Sequence, residues 1–236
     1  MSSPIATAAD NAAQPATRRA TVLELLLVLG LPTALFLAGS FRSLARNNGA
    51  LYFNDARIAS TLVIEAVLVV LLLPLLRRRG WRPADVAGAP EPSDVFRGAG
   101  LWFAAMASYY VAWVVFSLAK PEWADLVRAH HITGSLSTTT IVVGAVFNPL
   151  FEEFLWLGYA VPALGSRIGL RNAAMVSVAL RVAVHAYQGV MALVAILPVG
   201  VVLTWYYART RRLWPAVVAH VILDGLGFAM LARLHP

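Results

Sequence analysis

Residues 138–164 read TTTIVVGAVFNPLFEEFLWLGYAVPAL. The stretch is apolar for long enough to cross a hydrocarbon core of ~30 Å, which takes roughly 20 residues of helix. Its interruptions are Asn148-Pro149 and the adjacent pair Glu152-Glu153. A charged side chain at mid-bilayer costs roughly 2.5–3.5 kcal/mol on insertion scales. The stretch therefore predicts a transmembrane helix with a polar site built into it.

Working outward, apolar blocks of similar length recur at about 21–41, 58–76, 98–118, 172–187, 189–208 and 213–232. With 138–164 they predict an all-α polytopic bundle of about seven spans, within a range of six to eight. Composition agrees: 59% of the 236 residues are apolar and 13% charged, with mean hydropathy +0.70. A soluble domain averages roughly 45–50% apolar and ~25% charged. There are no cysteines, which excludes disulfides, iron–sulfur clusters and thiol nucleophiles. The net charge of +7 does not point to nucleic acid, because the basic residues sit beside the apolar blocks. Topology signals and anionic lipid account for them there.

Residues 1–20 are rich in Ala, Ser, Thr and Pro and read as a disordered cytoplasmic tail. Arg18-Arg19 and the small run Ala38-Gly39-Ser40 also fit a cleavable signal. The many later blocks favour an uncleaved first span. Residues 21–137 then hold the N-terminal helices and loops, and 138–236 the core that carries the ionisable residues. With the N-terminus inside, twelve Lys or Arg fall in cytoplasmic segments and six outside, and Arg181 lies within a span. The positive-inside rule thus predicts a cytoplasmic N-terminus. The membrane is expected to be a bacterial-type inner membrane, with the endoplasmic reticulum as the alternative.

Eight ionisable residues fall inside predicted spans: Glu24, Glu65, Glu152, Glu153, Arg181, His185, His220 and Asp224. Unpaired, Glu152, Glu153, Arg181 and Asp224 would cost on the order of 10 kcal/mol, as much as the whole stability of many domains. They are expected to face one another or a wet cavity. Arg181 and His185 are four apart and share a helix face, as do His220 and Asp224. Glu152 and Glu153 diverge by ~100°, so one can face a cavity and the other a partner helix. Pro149 removes a backbone donor just before them and predicts a break in the helix. Two carboxylates, two histidines and an acid suit a hydrolytic centre. A sheltered glutamate takes a proton from water, and histidines orient that water or stabilise an oxyanion. No metal or other cofactor is needed. A metal site is the rival within the enzyme class, since Glu, His, His and Asp are plausible ligands, but nothing matches the HExxH zinc pattern.

These residues resemble the CPBP family of intramembrane glutamic endopeptidases, also called the CAAX-protease and bacteriocin-processing or Abi family. Its signatures are EExxxRG, FxxxH and HxxxN or HxxxD. Here they read Glu152-Glu153-Phe154-Leu155-Trp156-Leu157-Gly158, Arg181-Val182-Ala183-Val184-His185 and His220-Val221-Ile222-Leu223-Asp224. Order and separation agree over about 145–232. The resemblance implies that Glu152 activates water, His185 helps hold it, His220 and Asp224 line the oxyanion side, and Glu153 orders the helices. It implies a membrane-associated peptide or protein as substrate. Two positions depart from the pattern: Leu157 replaces the motif arginine, and Arg181 replaces the motif aromatic. The two changes compensate if Arg181 pairs with Glu153 from the neighbouring helix. Asp224 stands where many members have Asn, and an ionised Asp only accepts hydrogen bonds.

Two other classes remain beside the protease. One is a catalytically inactive relative that binds a membrane peptide or scaffolds a complex. The other is a proton-coupled transporter using the same Glu–His–Asp relay, against which the lack of an internal repeat argues. Glu24, one turn into the first span, is expected to reach the interface, and Glu65 to line the cavity. His130, His131 and His235 read as solvated residues. Tyr187-Gln188-Gly189 follows His185 at a predicted break and reads as a turn or a substrate contact.

Overall fold

The structure is a computed structural model that describes residues 19–47, 51–122, 132–133, 135–189 and 192–234. The predicted tail, except Arg19 and Ala20, lies outside the described residues, as do His130, His131 and His235. Among the described residues, five helices are long and apolar enough to cross a membrane: α1 (Val22–Arg46), α2 (Asp55–Arg78), α4 (Ser93–Ala119), α5 (Thr138–Ile168) and α8 (Trp214–Arg233). The short α3 (Pro83–Ala87) lies between α2 and α4. The segments expected as full crossings at 172–187 and 189–208 form the shorter helices α6 (Leu170–Val184) and α7 (Val194–Thr210). Outside the helices, Leu51–Tyr52 pairs in parallel with Ile132–Thr133.

Local chemistry sets where the helices begin. Thr21, Asn54 and Ser137 accept from the backbone N–H groups of Glu24, Arg57 and Thr140 and start α1, α2 and α5. Gly169, at φ +81°, gives the sharp reversal from α5 into α6.

Apolar residues do not all point inward. Val70, Phe96 and Leu118 are each 70–81% exposed on the outer faces of α2 and α4. Lipid tails are the solvent that tolerates such a surface. Two apolar cores lie inside. One joins α1, α2, α5 and α6 through Val28, Leu68, Phe151, Trp156 and Val184. The other joins α3, α4, α5, α7 and α8 through Leu101, Leu157, Leu203, Tyr207 and Leu213. The central helix α5 contributes to both, and Glu152-Glu153 sits between its two apolar faces.

Small residues bring the helices close enough for polar side chains to meet. A Cβ on Gly98 of α4 would lie 2.5 Å from Val218 of α8. One on Gly144 of α5 would lie 3.2 Å from Ile58 of α2 and 3.4 Å from Phe228 of α8. Close backbone approach through small residues is the usual means of helix association in lipid. Here it draws α2 and α8 onto α5 one turn before Asn148.

Candidate active site

The α5 helix runs on through Pro149, and its departure from α-geometry comes after the glutamates. Residues Phe154–Ala160 form a widened π-type segment. Such segments leave carbonyls poorly paired and recur at functional sites. Ser177 of α6 donates to the Trp156 carbonyl at 2.6 Å, which satisfies one of them. The segment begins at the residue after Glu153.

Glu153 is wholly buried. Its Oε2 accepts from Arg181 Nη2 at 2.8 Å, and its Oε1 lies 2.7 Å from His220 Nδ1. Arg181 is itself 3% exposed. The pair expected between Arg181 and Glu153 is formed, across α5 and α6. Gly200 of α7 makes room for it: a Cβ there would stand 3.3 Å from Arg181 Cδ. Leu157, at the motif arginine position, is wholly buried in the apolar cluster with Leu203 and Leu213.

The remaining four groups are different, retaining exposures of 13% at Glu152, 16% at His185, 12% at His220 and 15% at Asp224. His185 Nδ1 is 2.8 Å from the Arg181 carbonyl, one turn back. A carbonyl only accepts, so Nδ1 carries the hydrogen and Nε2 is turned toward Glu152. The gap from Nε2 to Glu152 Oε1 is 3.9 Å. That is too long for a hydrogen bond. His220 stands between two carboxylates, with Nδ1 on Glu153 and Nε2 3.5 Å from Asp224 Oδ1. A buried carboxylate behind Nδ1 fixes the ring and leaves Nε2 as its working face.

Asn148 and Glu65 extend the cluster. The Asn148 amide donates to Glu65 Oε1 at 2.6 Å and lies 3.4 Å from Glu152 Oε1. Glu65 is 1% exposed and reaches this point from α2. The second oxygens of Glu65 and Glu152 are buried without a hydrogen-bond partner. In the sequence Asn148 reads only as part of a helix break. Its place four residues before Glu152 puts both on one face and was the available signal.

Glu24 is not at the interface. It is 2% exposed and accepts from Trp81 Nε1 at 2.6 Å and Tyr159 OH at 3.2 Å. It forms a separate node near the start of α1. Arg167 Nε closes the same region by donating to the Ala20 carbonyl at 2.8 Å. Ala186–Gln188 forms one 3₁₀ turn whose Tyr187 N–H donates to Ser40 Oγ of α1 at 2.6 Å. That contact anchors the turn, and the Tyr187 ring stacks on His185 with centroids 6.0 Å apart.

Among the described residues, no group of three or more His, Cys, Asp or Glu side chains is arranged to hold a metal ion. Glu153 is committed to Arg181 and His220, which splits the acids into a buried strut and a partly open face. That face combines a carboxylate, an imidazole acceptor and a second imidazole backed by acids, a set able to deprotonate water and stabilise developing negative charge.

Residues 134–226 match the family model described as type II CAAX prenyl endopeptidase Rce1-like. Neither a curated protein nor a solved structure matches the chain. The matched segment contains all three motifs, from Glu152 to Asp224, together with Asn148 and Arg181. Over that segment the chain, a helical membrane protein, resembles the Rce1-like endopeptidases of the CPBP family, which is a family of proteases.

Proposed function

We propose that the chain is an intramembrane endopeptidase that hydrolyses a peptide bond of a membrane-associated protein through water activated by Glu152. The observation that carries this reading is the 3.9 Å separation of Glu152 Oε1 and His185 Nε2. A water at roughly 2.8 Å from each atom fits that gap, with its two contacts diverging by about 90°, near the H–O–H angle. Such a water donates one hydrogen to each group, and its lone pairs point away from both.

Glu152 takes a proton as the water oxygen attacks the scissile carbonyl carbon. The carbonyl electrons move to oxygen, and His220, as imidazolium, donates from Nε2 to that oxyanion. Glu153 behind Nδ1 and Asp224 beside Nε2 orient the ring for that donation. When the tetrahedral intermediate collapses, the C–N bond breaks and Glu152 returns its proton to the leaving nitrogen. The products are a carboxylic acid and an amine, and no cofactor is consumed. Glu153 and Arg181 are positioning residues in this scheme.

The arginine distribution supports insertion with the N-terminus in the cytoplasm, and the membrane proposed is a bacterial-type inner membrane. Residues 138–236 then form the catalytic core, preceded by the helices of 21–137 and a cytoplasmic tail. The test is Glu152→Gln, which keeps an oxygen for Asn148 and removes the base. New protein termini are compared in membranes of cells carrying wild type or the variant at matched expression. Termini found only with wild type identify a protease and its substrates. Matching profiles, with the variant rescuing a deletion phenotype, overturn the reading in favour of an inactive scaffold.

A further inference from the structure

We infer that the groove between α6 and α7 is a binding site for an anionic phospholipid, separate from the candidate active site. The groove has a volume of about 720 Å³ and an apolar floor that includes Ala174, Val178 and Val201. Its rim contains exposed apolar side chains, Met175 at 61% and Trp205 at 56%.

Two features single it out from the plain apolar groove on α1. First, Arg171 and Arg209 both line it. Arg171 is in the first turn of α6 and Arg209 in the last turn of α7, and these antiparallel neighbours put both guanidinium groups at one end. Neither is paired with a carboxylate among the described residues. Arg209 is held against the Trp205 ring, 4.8 Å from its centroid. An aromatic at that level is an interfacial anchor. Basic sites between helices at the membrane surface recruit anionic headgroups.

Second, the groove contains one buried polar atom with no partner. Thr204 is 2% exposed, and its hydroxyl has no hydrogen-bond partner. It lies five residues before Arg209, roughly 7.5 Å further into the bilayer at helical rise. Rotation of the Thr204 side chain toward the groove it lines lets this O–H donate to an ester carbonyl at the glycerol level, below a phosphate held by the arginines. The acyl chain then follows Val178 and Val201 along the floor. Cation pair, polar step and apolar floor follow the order of a phospholipid from headgroup to tail.

The experiment uses the full chain in nanodiscs of phosphatidylcholine, doped with phosphatidylglycerol, with retained lipid counted by native mass spectrometry after mild detergent exchange. Arg171→Gln with Arg209→Gln should weaken phosphatidylglycerol retention roughly thirtyfold, from about fivefold per arginine near a charged surface. Arg77→Gln with Arg78→Gln, an exposed pair at the end of α2, should change it only slightly. Ala174→Phe fills the floor with both arginines intact and should also displace the lipid. Equal losses from the two arginine pairs would overturn the proposal in favour of general surface attraction. Full retention in Ala174→Phe would overturn it as well. Competition by inorganic phosphate alone would show a phosphate site rather than a lipid site. A dimer mass lost on Ala174→Phe would show that a second copy fills the groove. None of these readouts depends on proteolytic activity.

Discussion

Arg181→Leu tests whether an arginine has moved between helices without loss of its role. In the structure Arg181 Nη2 holds Glu153 Oε2 at 2.8 Å, with side-chain exposures of 3% and 0%. Removing one member of a buried pair costs about 3–5 kcal/mol, because the other charge is left uncompensated. His220 still faces the other Glu153 oxygen, so the lower figure applies. A loss of about 3 kcal/mol lowers the folded-to-unfolded ratio by roughly a hundredfold. Leu157 is four residues after Glu153, on the same side of α5, and wholly buried. Leu157→Arg alone places a second cation among Leu203 and Leu213 and should destabilise by a similar amount. In the Arg181→Leu background it supplies the missing guanidinium and should restore about half of the loss. The assay is unfolding of the detergent-solubilised chain, followed by intrinsic tryptophan fluorescence. Independent sites add to within about 0.5 kcal/mol. If the double variant is as unstable as the two single losses added together, the compensation argument is refuted.

Other expectations follow from distances. Gly98→Ala places a Cβ 2.5 Å from Val218 and 3.0 Å from the Pro215 carbonyl, so α4 and α8 must separate. Overpacking of this kind costs about 1–3 kcal/mol, readable as a lower unfolding midpoint, whereas Gly100→Ala, with nothing within 4 Å, should be neutral. Asn148→Ala removes the amide between Glu65 and Glu152. Leaving buried Glu65 unsatisfied should cost about 1–3 kcal/mol, and cleavage should fall further than stability alone explains; unchanged turnover per folded molecule would remove Asn148 from the site. Hydrogen bonding to Arg212 holds the Glu91 carboxyl below its usual range, and Arg212 is raised by its hydrogen bonds to Asp94 first and then to Glu91. A lowered carboxylate contributes stability above its unfolded pKa of about 4.3 and loses it as pH falls through its folded value. The hydrogen-exchange protection factor across 88–94, which removes the intrinsic pH dependence of exchange, should therefore stay constant from neutral pH to about 5, fall in more acid solution, and fall with salt while the carboxylates are ionised.

The bundle was legible because lipid imposes a simple rule, that a crossing helix must be apolar for roughly 20 residues. The same rule made Glu152, Glu153, Arg181, His185, His220 and Asp224 conspicuous. Intrahelical spacing also exposed the Arg181/His185 and His220/Asp224 pairs. Three features were hidden for physical reasons. Glu65 meets Asn148 across two helices, and no local pattern encodes the rotation of α2 about its axis. The widened turn at Phe154–Ala160 depends on Ser177 of another helix capturing a carbonyl. Glu24 is buried because Trp81 and Tyr159 fold over it from distant parts of the chain. The lengths of α6 and α7 were also less than the apolar count suggested, since the turn anchored by Ser40 ends α6 at Val184.

Burial sorts the acids more sharply than sequence does. All four carboxylates of the cluster face the same membrane penalty, and evolution can meet it by pairing or by water. Glu153 is met by pairing: two ligands, full burial and a glycine opposite its partner leave no room for substrate. Glu65 is met by an amide, and only on one oxygen. Glu152 and Asp224 keep partial exposure and incomplete partners. A group that folding alone required would have been closed off as Glu153 is. The acids left partly open are those on which an incoming substrate or water can complete the hydrogen bonding, and that asymmetry favours the proposal that Glu152 rather than Glu153 is the base.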